Sequence, residues 1–177
     1  MNKQRKSKPK TSLRTKLKNI KLLLLDVDGV LTDGRIVYTS DGVEQKFFDA
    51  HDGYGFTLAL RHGLKLGIIS GRSSPMVTKR ASEFMIDEVH QDVPNKIEVY
   101  DSIKKKYHLK DSEIAYIGDD LMDVPVLQQV GFSAAPSDAI EDIFKQVDYV
   151  CSKGGGRGAV REVIDMILKA KSVEQRV

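Results

Sequence analysis

The chain of 177 residues has one cysteine, no tryptophan and no long apolar run. Nothing in it approaches the ~20 consecutive apolar residues that span a bilayer. Cys151 stands alone, so no internal disulfide can form, which suits a reducing cytoplasm. With no obvious base beside it, Cys151 reads as a small core residue. No His/Cys cluster has zinc-ligand spacing. There are no internal repeats, and the N-terminus lacks the apolar stretch of a secretory signal.

Acidic residues are missing from residues 1–18, which hold Lys3, Arg5, Lys6, Lys8, Lys10, Arg14, Lys16 and Lys18. The formal net charge is only +3, so the rest of the chain is net acidic. The basic pI therefore belongs to the leader. That leader has no aromatics for base stacking and no evident amphipathic pattern. It reads as a solvated, disordered segment, with no nucleic-acid or membrane partner expected. One folded domain is expected over residues 19–177.

What the chain does have is Leu22-Leu23-Leu24-Leu25-Asp26-Val27-Asp28-Gly29. Four consecutive leucines bounded by polar and Gly residues predict a buried parallel strand. Asp26 and Asp28 then lie just past its C-terminal end, where open α/β sheets place ligands. Further strands are expected at 66–69, 88–90, 114–117, 132–134 and 149–150. Helices are expected at 53–62, 75–84, 95–107, 124–130, 139–144 and 159–170. This alternation predicts an α/β fold, a Rossmann-like three-layer parallel sheet. The exception is a β-hairpin, with strands at 35–38 and 43–48, inserted directly after the acidic turn. Gly154–Gly158 reads as a mobile loop before the last helix.

Three further segments carry chemistry. Ser70-Gly71-Arg72 ends a buried strand; its hydroxyl and backbone N–H groups suit a phosphoryl oxygen, and Arg72 suits a phosphate or a carboxylate. Lys96 follows Pro94-Asn95 at a helix start. Gly118-Asp119-Asp120-Leu121-Met122-Asp123 ends another apolar strand. In one parallel sheet the two acidic ends share an edge. Their carboxylates repel unless a hard cation lies between them, and an all-oxygen set suits magnesium.

In this order, the segments resemble the haloacid dehalogenase superfamily of phosphotransferases, over roughly residues 20–170. The resemblance implies a nucleophilic Asp26 that forms an aspartyl-phosphate, and Asp28 as general acid and then base. It implies Ser70 and Lys96 on phosphoryl oxygens. Magnesium would be held by Asp26, Asp28 (through its carbonyl), Asp119 and Asp120, with Asp120 and Asp123 in support. Neither insertion point has room for a cap domain.

The finer pattern is similar to the capless 3-deoxy-D-manno-octulosonate 8-phosphate phosphatases. It comprises Asp26 through Gly34, Phe48-Asp49-Ala50-His51-Asp52-Gly53-Tyr54-Gly55, Ser70-Gly71-Arg72 and Gly155-Gly156-Arg157-Gly158. That family implies a cytoplasmic homotetramer of lipopolysaccharide biosynthesis, with neighbouring subunits lining each site. It implies a small-molecule sugar phosphate contacted by Asp28, Asp49, Ala50, His51, Asp52, Gly53, Thr57, Arg72, Arg80, Lys96 and Arg157. Thr57 and His51 depart from the more basic residues of some members, which bears on affinity for the substrate's carboxylate. A phosphatase of nine-carbon sugar acid phosphates is an alternative; that relative is read as having Glu where this chain has Arg72 and Arg157. A receiver-type phospho-accepting domain keeps its acidic pair and nucleophile in a different order. A non-catalytic domain would not need every named group.

Overall fold

The computed structural model describes residues 12–171. Its centre is a six-stranded, fully parallel sheet with strand order β5-β4-β1-β6-β7-β8. The strands are β1 (Leu22–Leu25), β4 (Lys65–Ile69), β5 (Glu88–His90), β6 (Ile114–Ile117), β7 (Phe132–Ala135) and β8 (Tyr149–Val150). A separate antiparallel hairpin, β2 (Val37–Tyr38) and β3 (Glu44–Gln45), follows β1.

All four leucines of β1 are buried because helices cover both faces of the sheet. Leu23 and Leu25 join one core with α1 (Leu13–Asn19), α2 (Ala50–Arg61), α3 (Pro75–Glu83) and α7 (Ala159–Ala170). Leu22 and Leu24 join a second core with α4 (Lys96–Lys106), α5 (Val124–Leu127) and α6 (Glu141–Phe144). Alternate side chains of a strand point to opposite faces, so one tetrad anchors both layers. Each buried leucine contributes about 1.5–3 kcal/mol. On α7, Val160, Val163, Ile164, Ile167 and Leu168 form the buried stripe expected of a helix lying on a sheet.

β1 is the switch point of the topology. The chain runs outward through β4 and β5, then returns to the other side of β1 for β6, β7 and β8. Between β1 and β4 lie only the hairpin and α2; between β4 and β6 lie α3, β5, α4 and a 3-10 turn. No cap domain interrupts either segment.

Several boundaries differ from expectation. The boundary drawn after residue 18 is too late. Ser12 caps α1, Leu17 is buried against α7, and Lys16 pairs with Asp148 at 2.5 Å. Leu13, Leu17 and Ile20 supply an apolar edge that the surrounding lysines mask. The remainder of the basic leader, residues 1–11, lies outside the described residues. The hairpin strands are shorter than expected, two residues each, because nothing in the main sheet extends their pairing. α2 begins before residue 53 because Asp49 caps it, accepting from the N–H groups of His51 and Asp52.

The loop at 154–158 is anchored rather than free. Gly155 N–H donates to Asp138 Oδ1 at 2.8 Å, and Gly156 N–H donates to the Val30 carbonyl at 3.0 Å. A Cβ on Gly155 would lie 1.9 Å from the Gly29 carbonyl oxygen. The glycine run thus lets this backbone pack directly onto the loop after β1.

Candidate active site

Because β1 and β6 are parallel neighbours in register, with Leu25 opposite Ile117, their C-terminal ends fall side by side. Asp26 continues the ladder, donating its N–H to the Ile117 carbonyl at 3.0 Å. Asp119 follows two residues beyond β6. Oxygens of Asp26, Asp119 and Asp123 lie within 4.8 Å of one another. Lys96, the first residue of α4, reaches beneath them with its side chain fully buried. Its ammonium is 2.8 Å from Asp26 Oδ1, 2.6 Å from Asp123 Oδ1 and 3.4 Å from the Tyr116 hydroxyl. Those contacts match the three donors of an ammonium.

Asp123 is saturated. Its Oδ1 accepts from Lys96 and from the Tyr116 hydroxyl at 2.5 Å. Its Oδ2 accepts from the backbone N–H groups of Asp119 and Asp120 at 3.0 and 3.2 Å. It therefore shapes the acidic loop and holds Lys96 in place. Asp119 is the opposite case, since its Oδ1 is buried without a hydrogen-bond partner.

Burial, reinforced by repulsion from Asp26 and Asp123, pushes the Asp119 carboxyl up to about 8. Burial and Asp123 likewise push Asp26 up to about 6, although Lys96 opposes them. A single lysine does not neutralise three clustered carboxylates. An orphaned buried oxygen beside a nucleophile-type Asp is the donor set a hard cation completes. The residues present therefore fit magnesium. Asp120, also expected to serve the metal, lies outside that group of carboxylates. It is exposed, and its Oδ1 caps the 3-10 turn after it by accepting from the Leu121 N–H at 2.6 Å.

Ser70 closes β4, buried, and its hydroxyl oxygen accepts from the Arg72 N–H at 3.2 Å. Its own proton remains free to be donated. Asp28 lies between two cations. Lys46 pairs with Asp28 Oδ1, and Arg72 Nε is 3.5 Å from Oδ2. Glu44 joins the group, 2.9 Å from Arg72 Nη2 and 3.6 Å from Lys46 Nζ. Glu44 and Lys46 were missed in the sequence. Their signal was a spacing of two at the end of the hairpin, Glu44 in β3 and Lys46 just past it, but nothing local showed that these side chains turn to the site.

The remaining expected substrate residues divide. Asp49, Ala50 and His51 sit at the start of α2, where Ala50 and His51 are exposed. Arg80 braces that turn: Nη2 donates to the Asp49 carbonyl at 3.2 Å, and its guanidinium lies over Phe84 and Phe48. Gly53 lies beside it, buried, and Thr57 is half-buried about one turn further along α2. Asp52 departs from expectation. It is only 2% exposed and turns inward, where Oδ1 accepts from the Arg161 N–H at 2.7 Å, capping α7 from outside that helix. Burial pushes its carboxyl up to about 6. Arg157 is exposed, with Nη2 3.6 Å from Asp33 Oδ2.

Comparison with known proteins agrees with this geometry. The family model for haloacid dehalogenase-like hydrolases matches residues 72–164. The chain is 42% identical over 161 residues to 3-deoxy-D-manno-octulosonate 8-phosphate phosphatase KdsC of Salmonella typhi, covering 91% of this chain and 86% of that protein. The crystal structure of the phosphatase of that name from Yersinia pestis superposes with a TM-score of 0.90 at 38% identity, covering 91% of this chain and 87% of the other. The Moraxella catarrhalis phosphatase, solved with magnesium, phosphate and KDO, superposes with a TM-score of 0.88 at 42% identity, covering 90% and 91%. Identity at this level over nearly the whole chain establishes the lineage. The chain belongs to the haloacid dehalogenase-like hydrolases and, within them, to the 3-deoxy-D-manno-octulosonate 8-phosphate phosphatase family.

Proposed function

We propose that this enzyme hydrolyses 3-deoxy-D-manno-octulosonate 8-phosphate to the free sugar acid and phosphate, a step of lipopolysaccharide biosynthesis. The observation that carries the chemistry is the buried Asp26–Asp119–Asp123–Lys96 cluster at the end of β1, with Asp28 beside it. Membership of the family supports the substrate.

Asp26 and Asp119 would hold magnesium, with the Asp28 backbone carbonyl. The ion supplies charge neutralisation and polarises the phosphoryl group. Asp26 attacks phosphorus through a carboxylate oxygen, and the bond to the sugar oxygen breaks. Asp28 gives its proton to the departing alkoxide. The product of this half-reaction is an aspartyl-phosphate on Asp26. Asp28 then takes a proton from water as that water attacks phosphorus, and Asp26 is released with inorganic phosphate. Lys96 and the Ser70 hydroxyl hold phosphoryl oxygens as charge moves onto them. Asp123 keeps Lys96 aimed at Asp26 throughout.

The assembly belongs to the same reading. Without a cap, a lone subunit leaves the site open to water. Ile36, Tyr38, Val43 and Phe47 of the hairpin region expose apolar surface, which supports packing against neighbours in a homotetramer. Among the described residues no helix is long and apolar enough to cross a membrane, and with the single cysteine this supports a cytoplasmic location.

Phosphate release from the eight- and nine-carbon sugar acid phosphates, with magnesium and with excess chelator, tests the proposal. Faster magnesium-dependent turnover of the eight-carbon ester is expected. Preference for the nine-carbon ester, or full activity in chelator, would overturn it.

A further inference from the structure

Two buried tyrosines of the second core make the same arrangement with an aspartate and a lysine, and one of the two arrangements stands in the active site. There the Tyr116 hydroxyl donates to Asp123 Oδ1 at 2.5 Å, and Lys96 donates to that same oxygen at 2.6 Å. The other involves the 3-10 turn that precedes β6, Asp111–Glu113. The Tyr100 hydroxyl donates to Asp111 Oδ1 at 2.5 Å, and Lys104 to that same oxygen at 2.8 Å. Their surroundings differ. The Lys104 and Asp111 side chains are 24% and 38% exposed, whereas those of Lys96 and Asp123 are 1% and 0%. Water screens the first pair. At the second, the charge of Asp123 is offset by its protein donors.

Lys96 stands between two carboxylates, 2.8 Å from Asp26 and 2.6 Å from Asp123. In the proposed reaction one of them changes. Once Asp26 carries the phosphoryl group, its carboxylate is an acyl ester with no charge of its own. Asp123 is then the remaining carboxylate in contact with Lys96, and in a site closed to water its attraction is strong. Unopposed, it would draw the ammonium off the phosphoryl group. The Tyr116 hydroxyl opposes this, because its O–H dipole points at the oxygen that Lys96 also uses and offsets part of the negative charge there. The backbone N–H groups of Asp119 and Asp120 hold the other oxygen, so Asp123 is kept from turning.

We infer that Tyr116 is a positioning residue for the second half of the reaction: acting through Asp123, its hydroxyl keeps Lys96 on the phosphoryl group while Asp26 carries it. The inference rests on the covalent route proposed above and adds to it a residue that touches neither the substrate nor the metal.

The second arrangement supplies the control. Tyr116→Phe and Tyr100→Phe each remove one hydroxyl that donates to a carboxylate, and each keeps the ring. Both should melt below the wild type. The probe is magnesium-supported hydrolysis of p-nitrophenyl phosphate, measured at a temperature where melts show all three proteins folded. Tyr116→Phe should lower kcat at least about ten-fold, the scale of a hydrogen bond to a charged group. KM should not rise, because Asp26 still has its charge when the ester binds. Stopped-flow traces of Tyr116→Phe should show a burst of p-nitrophenolate before a slow steady state, because the slowed step follows phosphoryl transfer to Asp26. Tyr100→Phe should keep the wild-type kcat and KM. Wild-type kcat in Tyr116→Phe, a KM that rises as kcat falls, the absence of a burst, or an equal loss in Tyr100→Phe overturns the inference. Turnover retained by Asp26→Asn would instead overturn the covalent route, and failure of the wild type on the eight-carbon phosphate would overturn the proposed substrate alone.

Discussion

Gly29 offers the sharpest test of how the acidic cluster is built. It sits between the two β1 carboxylates and the Asp119 loop, with φ of +93°, a conformation that L side chains rarely adopt. A Cβ there would lie 2.0 Å from Asp119 Oδ2 and 2.5 Å from its Cγ. Ordinary contact begins near 3.4 Å, so the Asp119 carboxylate must move by more than an ångström or the β1 loop must shift. Gly29→Ala thus makes two separable demands. The backbone demand is about 1–2 kcal/mol for a left-handed non-glycine residue. For a domain of this size that lowers Tm by roughly 2–8 °C. The second demand falls on the site: an ångström of misplacement at a reacting centre costs about a hundred-fold in rate. The expected variant is folded, modestly less stable and about a hundred-fold slower, and needs more magnesium for half-maximal activity. Thermal melts beside a magnesium titration of kcat separate the two demands. Wild-type turnover with an unshifted magnesium requirement would refute the placement of Asp119 opposite Gly29.

Three further outcomes follow from the same geometry. Asp26→Asn keeps the size of the side chain but removes the nucleophile, so turnover should fall by several orders of magnitude while circular dichroism stays native; substantial residual turnover would exclude the covalent route. Asp52 has a folded pKa of about 6, above its ordinary value of 3.8, so the folded state holds its proton more tightly. The stability this adds is fully present below the unfolded pKa and is lost as pH rises through the folded one. Asp52→Asn should therefore gain on the wild type, by up to about 2–3 kcal/mol in urea melts, between about pH 4 and about pH 7.5, and a pH-independent difference would refute the assignment. Leu17→Ala should cost about 2–3 kcal/mol, lowering Tm by roughly 5–10 °C; no change would mean that α1 adds nothing to the fold.

The layers of the fold were legible because their signals are local. The leucine tetrad, Pro75 behind Ser74, and the i, i+3, i+4 stripe of α7 each declare an element within a few residues. α1 was hidden for a physical reason. Its apolar positions are few, and the lysines between them gave the segment the composition of a disordered tail. What orders it is a long-range contact, Leu17 against α7, which no window of sequence contains. The hairpin failed in the other direction. Residues 35–38 and 43–48 have strand-like character, but pairing stops where there is no third strand to extend it.

The site divides along the same line. Asp26, Asp28, Ser70, Lys96 and Asp119 were legible because each stands at a strand end or helix start, and a parallel sheet gathers those positions on one edge. Orientation within that edge was not legible. Asp120 and Asp123 share one acidic motif, yet one faces solvent and the other is enclosed by four donors, because a 3-10 turn follows Asp120 and turns Asp123 back beneath it. Asp52 sits within the expected substrate segment, yet faces away from it because α2 carries its side chain towards α7. Lys46 and Glu44 belong to none of the motifs and reach the site only because the hairpin folds over it. Sequence motifs thus located the residues that the sheet gathers on one edge. The groups that orient or pair with them come from turns and an inserted hairpin, whose direction depends on what they pack against.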